Sequence, residues 1–329
     1  MSIIEDTVFP DIINRFSNYQ NHLNRSPATI NQYRLDLMLF IKYQIAKKEG
    51  IDFSSEEFDK IDISGADVDF FKDMSSNDIY NFLLYLTSDR GNRSSARARK
   101  LSALKVFYKY LMFVTKEIDY NPTEAISAPT VKQRLPKYLT LDESVQLLDT
   151  VRTDEENPNR QRDYTIITLF LNCGMRLSEL CGISLHDIDP KLQSMRVIGK
   201  GSKERIVYLN GACRDALSDY LKLRREMQDV KDKNALFLSR LGKRISNKTV
   251  QHIVYQSLEK AGLGYRRLSV HKLRHTAATL MYQSGKVDVR VLKDILGHEQ
   301  LNTTQIYTHV SDAQMQNAME FNPLSKEKK

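Results

Sequence analysis

Residues 271–309 read HKLRHTAATLMYQSGKVDVRVLKDILGHEQLNTTQIYTH. Their pattern is helical, with breaks at Gly285 and Gly297. His271 and Arg274 stand three residues apart, on one helical face. His298 falls just past a helix end, and Tyr307 follows nine residues later. Working upstream, extended runs at 195–198 and 205–209 flank Gly199-Lys200-Gly201-Ser202. That order predicts a hairpin with Lys200 at its tip. Further upstream, GMRLSEL (174–180) puts Arg176 on a break between helical patterns at 163–172 and from 177 onward. Thr140-Leu141-Asp142-Glu143 reads as a capped helix start. The second half of the chain is therefore expected to be mainly α, with a small antiparallel β-sheet.

The first half reads as helical throughout. Ser26-Pro27 supplies a capping side chain and a proline for a first turn, and Ile30, Tyr33, Leu37, Phe40 and Ile41 follow at helical spacing. A second helix is expected over 77–87. A third is expected over 94–114, with Leu101, Leu104, Tyr108 and Leu111 on one stripe. Arg93, Arg97, Arg99 and Lys100 crowd the start of that third helix, a face suited to phosphates. The stretch 48–73 carries nine carboxylates and reads as a solvated insertion that a phosphate backbone would repel. Prolines at 122, 129 and 136 mark 119–137 as a linker, made basic by Lys132 and Arg134. The expected organisation is a helical domain over 1–118, the linker, a second domain over 138–324 and a tail over 325–329.

Composition narrows the function classes. The 329 residues carry a net charge of +8, which favours a polyanionic partner such as nucleic acid. No run approaches the ~20 apolar residues of a membrane span. The acidic opening MSIIEDTVFPDII lacks the pattern of a secretory signal, so a cytoplasmic protein is expected. Cys173, Cys181 and Cys213 are odd in number and form no CxxC pair, which argues for small buried thiols over a disulfide framework or a zinc site. Neither a phosphate-cradling GxxxxGK[ST] loop nor an acidic cluster spaced for Mg²⁺ is present in the sequence, so no cofactor and no metal are expected.

Taken singly, each polar piece of the second half has a structural explanation. Arg176 is placed to pair with Glu179, His-x-x-Arg recurs by chance in a basic chain, and Tyr307 is one of 16 tyrosines. Taken as a set in fixed order, they make the chain resemble the tyrosine recombinase (phage integrase) family, and within it the bacterial Xer-type recombinases. The resemblance rests on Arg176 in GMRLSEL, Lys200 in VIGKGSKER, His271 and Arg274 in HKLRHTAAT, His298 in LGH, and Tyr307 in TTQIYTHV. It covers 137 to about 310. Residues 94–111, SSARARKLSALKVFYKYL, are also similar to the last helix of the family's core-binding domain. The acidic stretch 48–73 departs from the compact Xer pattern.

The resemblance implies a two-domain DNA clamp, a helical core-binding domain followed by a catalytic domain. It implies a site-specific enzyme that cuts and rejoins DNA through a 3′-phosphotyrosyl intermediate, with Xer-like chromosome dimer resolution as the expected role and integration of a mobile element as the alternative. A type IB topoisomerase or a catalytically silent DNA-binding regulator ranks below both. The residues suit the chemistry. Arg176 and Arg274 can donate forked hydrogen bonds to the oxygens of a phosphodiester as charge grows there. Tyr307, with an ordinary pKa of about 10, needs a base, and His271 is the candidate. Lys200 is placed to protonate the leaving 5′-oxygen, with Lys203 the weaker candidate. His298 is expected on the scissile phosphate, and Glu179 is expected to orient Arg176 or a neighbouring helix. His275 and His309 receive no role. DNA contacts are expected from Arg93, Arg97, Arg99, Lys100, Lys132, Arg134, Lys203 and Arg205. The resemblance further implies double-stranded DNA with a specific core site as partner. It also implies a homo-tetramer or a hetero-tetramer with a second recombinase, joined through a C-terminal helix at 311–322, and a septal DNA translocase as accessory.

Overall fold

Proline at position 10 opens the first helix, α1 (Asp11–His22), whose Ile12, Ile13 and Phe16 turn inward. Next, α2 (Pro27–Glu49) begins as the Ser-Pro pair requires: the Ser26 hydroxyl accepts the Thr29 N–H, and Gly50 ends the helix in the left-handed region. The computed structural model describes residues 7–130, 137–199, 203–285 and 287–297. It divides the chain into two units, 1–134 and 135–329.

In the first unit, α3 (Glu56–Lys60) and α4 (Val68–Lys72) are short, and α5 (Ser76–Ser88) and α6 (Ser94–Lys109) are longer. One π-helical segment, Tyr110–Thr115, continues α6. Phe16, Phe40, Phe82, Phe107 and Tyr108 form an aromatic core where α1, α2, α5 and α6 meet.

The stretch 48–73 is not a solvated insertion. Its Phe58, Ile63, Ala66 and Phe71 are buried in the unit's core. Phe71 packs edge-on against Phe107 at 4.8 Å, and the Tyr108 hydroxyl donates to the Phe71 carbonyl at 3.3 Å. The carboxylates stay outside, several of them at helix starts: Asp67 caps α4, and Glu56, Glu57 and Asp59 lie in the first turn of α3, where the helix dipole favours negative charge. The aromatic residues between the carboxylates, not the charges, decide the packing. The expected linker 119–137 also begins inside this unit. Asn121 and Thr123 are buried, and the Ser76 hydroxyl donates to the Pro122 carbonyl at 2.9 Å.

The second unit is organised around α8 (Arg160–Cys173), which packs against α7 (Leu141–Thr153), α10 (Gly211–Glu226) and α12 (Val270–Gln283). Ile166, Ile167, Leu169 and Phe170 are buried around its circumference. Helix α7 carries the capping box read in the sequence, with the Thr140 and Glu143 side chains each accepting the other's backbone N–H. The short α9 (Leu177–Gly182) follows α8. Strands β1 (Ser194–Ile198) and β2 (Glu204–Tyr208) pair antiparallel, with Met195 opposite Val207 and Val197 opposite Arg205. Helices α11 (Asn247–Lys260) and α13 (Val289–Leu296) complete the unit. The protein is thus mainly helical with one small antiparallel sheet.

All three cysteines are buried thiols. Cys173 and Cys213 lie 3.6 Å apart, and their mutual contact together with burial pushes the Cys213 thiol far above its usual range. No helix among the described residues is long and apolar enough to cross a membrane. Lys132, Arg134, Lys200, His298, Tyr307, the expected helix 311–322 and the tail 325–329 lie outside the described residues.

Candidate phosphate site

The site begins where α8 stops. Gly174 adopts φ +58° and closes the helix with a left-handed cap. A Cβ at this position would lie 2.8 Å from Cδ2 of Leu296, so the close approach of two helix ends also requires glycine. Arg176 then stands immediately before α9, and the Glu179 carboxylate accepts its backbone N–H at 2.8 Å. The same carboxylate accepts Nη1 of Arg176 at 2.7 Å.

From the opposite side, β2 contributes Arg205. Its Nη2 and Nε reach the two Glu179 oxygens at 2.8 and 3.3 Å. Glu179 has no exposed side-chain surface. Burial would raise its carboxyl, but the hydrogen bonds and charges of Arg205 and Arg176 outweigh that and hold it below the usual glutamate range. The third cation is Arg274, in the first turns of α12 and only 2% exposed. Its Nη1 donates to the Gly174 carbonyl at 2.7 Å and lies 4.0 Å from Glu179.

The three arginines also share the C-terminal end of α13. Arg205 donates to the Ile295 carbonyl at 2.6 Å, Arg274 to Leu296 at 2.5 Å and Arg176 to Gly297 at 2.7 Å. Helix-end carbonyls lack intrahelical partners and carry the negative end of the helix dipole, so they anchor cations well. Around Glu179, three guanidiniums face one carboxylate, leaving positive charge to spare. Such a preorganised set of N–H donors is suited to an oxyanion, above all a phosphate.

His271 lies one turn before Arg274 on α12 and stays accessible, while His275 is buried beneath it. Their rings meet edge to face, with centroids 4.5 Å apart. Partial desolvation and the cations Arg274, Lys272 and Arg176 hold the His271 imidazole below its usual range. That favours the neutral imidazole, the form able to accept a proton.

The structure thus brings Arg176 and Arg274 together, with His271 alongside. It treats the remaining basic candidates differently. Arg205 turns its guanidinium inward to Glu179 and Ile295, whereas Lys203 is exposed. Strand alternation was the available signal, because Arg205 shares its side of β2 with the buried Val207. On α6, Arg99 and Lys100 both donate to the buried Asp36 of α2, and Arg97 donates to Thr87 and Ser94. Arg93 is exposed.

Comparisons with known proteins point the same way. The sequence pattern described as the phage integrase family matches residues 137–314. The tyrosine recombinase XerC of Caldanaerobacter subterraneus subsp. tengcongensis is 48% identical over 328 residues, 99% of this chain and 91% of that protein. The XerC of Thermodesulfovibrio yellowstonii is 38% identical over 243 residues, 72% of this chain and 79% of its own. Among solved structures, the XerH site-specific recombinase bound to its palindromic difH substrate in a post-cleavage complex aligns with a TM-score of 0.69. Its identity is 25%, over 91% of this chain and 81% of that one. A lambda integrase dimer on a core site, 15% identical, shares the fold at a TM-score of 0.63 over 90% of this chain and 93% of that one.

Proposed function

This chain belongs to the phage integrase family as a site-specific tyrosine recombinase, and on that premise we propose that Tyr307 is its nucleophile. The phenolic oxygen attacks the scissile phosphorus, its proton passes to His271, and the bond from phosphorus to the 5′-oxygen breaks. Lys200 gives its proton to that oxygen. The product is a 3′-phosphotyrosyl bond and a free 5′-hydroxyl. Because the new ester conserves the energy of the old one, a 5′-hydroxyl from a second duplex reverses the step and completes strand exchange.

Arg176 and Arg274 act on the non-bridging oxygens as the phosphorus becomes five-coordinate. One such donor is worth ~2.7–4 kcal/mol in a transition state. His298 bonds the same phosphate. The observation that carries this reading is the convergence of Arg176 and Arg274, from different elements, on the end of α13, with His271 one turn before Arg274. The sequence runs from there into His298 and Tyr307.

The role we assign is resolution of chromosome dimers in the cytoplasm, supported by likeness to the XerC proteins over nearly the whole chain. Four protomers would assemble on double-stranded core sites through 311–322, with a second recombinase or a septal translocase as further partners. The first unit serves as core-binding domain and meets phosphates through the exposed Arg93, with Lys132, Arg134 and Lys203 adding contacts. A plasmid bearing two directly repeated core sites tests the reading. Recombination yields two smaller circles without a nucleotide cofactor, whereas relaxation without exchange would indicate a topoisomerase.

A further inference from the structure

Three successive carbonyls, from Ile295 to Gly297, are each taken by a different arginine, and the recombinase chemistry uses only two of those arginines. Arg205 is the one left over. All three of its guanidinium nitrogens are engaged, Nε and Nη2 with Glu179 and Nη1 with Ile295, and its side chain is 14% exposed. Arg176, by contrast, keeps 33% exposure, and Glu179 and Gly297 occupy two of its five N–H donors. The order from interior to surface is thus Glu179, then Arg205, then Arg176.

We propose that Arg205 is a positioning residue for DNA cleavage. It divides the Glu179 carboxylate between two arginines and pins that carboxylate to the end of α13. Without it, both Glu179 oxygens would be open to Arg176, and a guanidinium drawn fully onto a carboxylate is withheld from phosphate. The geometry leaves no slack for a substitute. The backbone at Gly297, at φ +63°, runs so close that a Cβ there would lie 2.8 Å from Cδ of Arg205 and 3.5 Å from Nη1 of Arg176. Lysine would bring the charge but one nitrogen in place of three. The proposal deepens the recombinase reading and rests on it.

The test compares two suicide duplexes that differ at the scissile position, one with an ordinary phosphodiester and one with an uncharged methylphosphonate. Adduct formation is followed in single turnover at saturating DNA, and affinity is measured by gel shift. Without the phosphate's charge, an arginine held in place to balance that charge matters less. Arg205→Ala should slow cleavage of the phosphodiester about a hundredfold, the scale of one preorganised donor, and of the methylphosphonate less than about fivefold. Affinity should stay within about threefold. Arg205→Lys should show the same substrate dependence at smaller amplitude, and it carries the comparison alone should Arg205→Ala not fold. Equal losses on both substrates, or no loss on either, would overturn the proposal. Wild type and Tyr307→Phe run beside these variants. No adduct from wild type sinks the recombinase reading itself, whereas a wild-type adduct with undiminished Arg205→Ala sinks only the role of Arg205.

Discussion

Glu179→Gln removes the one negative charge that Arg176 and Arg205 share, and its cost follows from the contacts. The carboxylate accepts four N–H donors between 2.7 and 3.3 Å, two on each oxygen. Glutamine keeps one oxygen and turns an NH₂ toward the other pair of donors, so two charge-assisted bonds are lost and donors face donors. The side chain has no exposed surface, so water cannot take the place of the lost acceptor. Breaking a buried pair from one side costs ~3–5 kcal/mol. At ~2–4 °C per kcal/mol for a unit of this size, the melting point should fall by about 6–20 °C at pH 7.

The pH dependence fixes the sign. The folded-state pKa of Glu179 lies below the ordinary glutamate value of 4.5, so its contribution is present above that value and is lost as pH falls through the folded pKa. The gap between wild type and Glu179→Gln should therefore be full at pH 7 and shrink in acid. Calorimetric melts at pH 7 and below pH 4.5 measure both. A variant that melts within about 2 °C of wild type at pH 7 would refute the claim that this carboxylate holds the arginine cluster.

Gly174→Ala adds a left-handed non-glycine residue, costing ~1–2 kcal/mol, and drives a methyl into Leu296 for ~1–3 kcal/mol more. Chemical denaturation should show the combined loss, and an unchanged midpoint would contradict the close approach. If His271 is the base, cleavage should rise with pH through a midpoint below the usual histidine value of 6.5 and level off above it. His271→Ala should be slower by ~10²–10⁴, and a wild-type midpoint above 7 would exclude it. On α6, Arg93→Ala should reduce the slope of log affinity against log salt by about one. Arg99→Ala and Lys100→Ala should leave the slope alone and lower thermal stability, because both cations serve Asp36; the reverse pattern would move the DNA footprint.

Much of this was legible in the sequence, and the losses have physical reasons. The capping signals at Ser26-Pro27 and Thr140-Glu143 mark helix starts because they satisfy orphan backbone groups locally, with no need of the rest of the fold. The hairpin at 195–209 and the breaks at Gly174 and Gly297 were equally local, as were Arg176, His271 and Arg274 as candidates. What the sequence hid was tertiary. Nothing near Asp36 indicates that it would be buried and would bind Arg99 and Lys100, which lie more than sixty residues away. The carboxylates of 48–73 masked Phe58 and Phe71, whose burial depends on partners from α5 and α6. Arg205 looked like a DNA contact because charge suggests a surface, while its place on the inner side of β2 takes it to Glu179.

A covalent bond from Tyr307 to DNA is the defining step of the proposed reaction. Wild type and Tyr307→Phe are incubated with nicked suicide duplexes carrying candidate core sites, without added Mg²⁺, and resolved on a denaturing gel. With Tyr307 as nucleophile, wild type gives a protein–DNA adduct and Tyr307→Phe gives none. An adduct from both proteins, or DNA binding by wild type with no adduct on a site it occupies, would contradict that role.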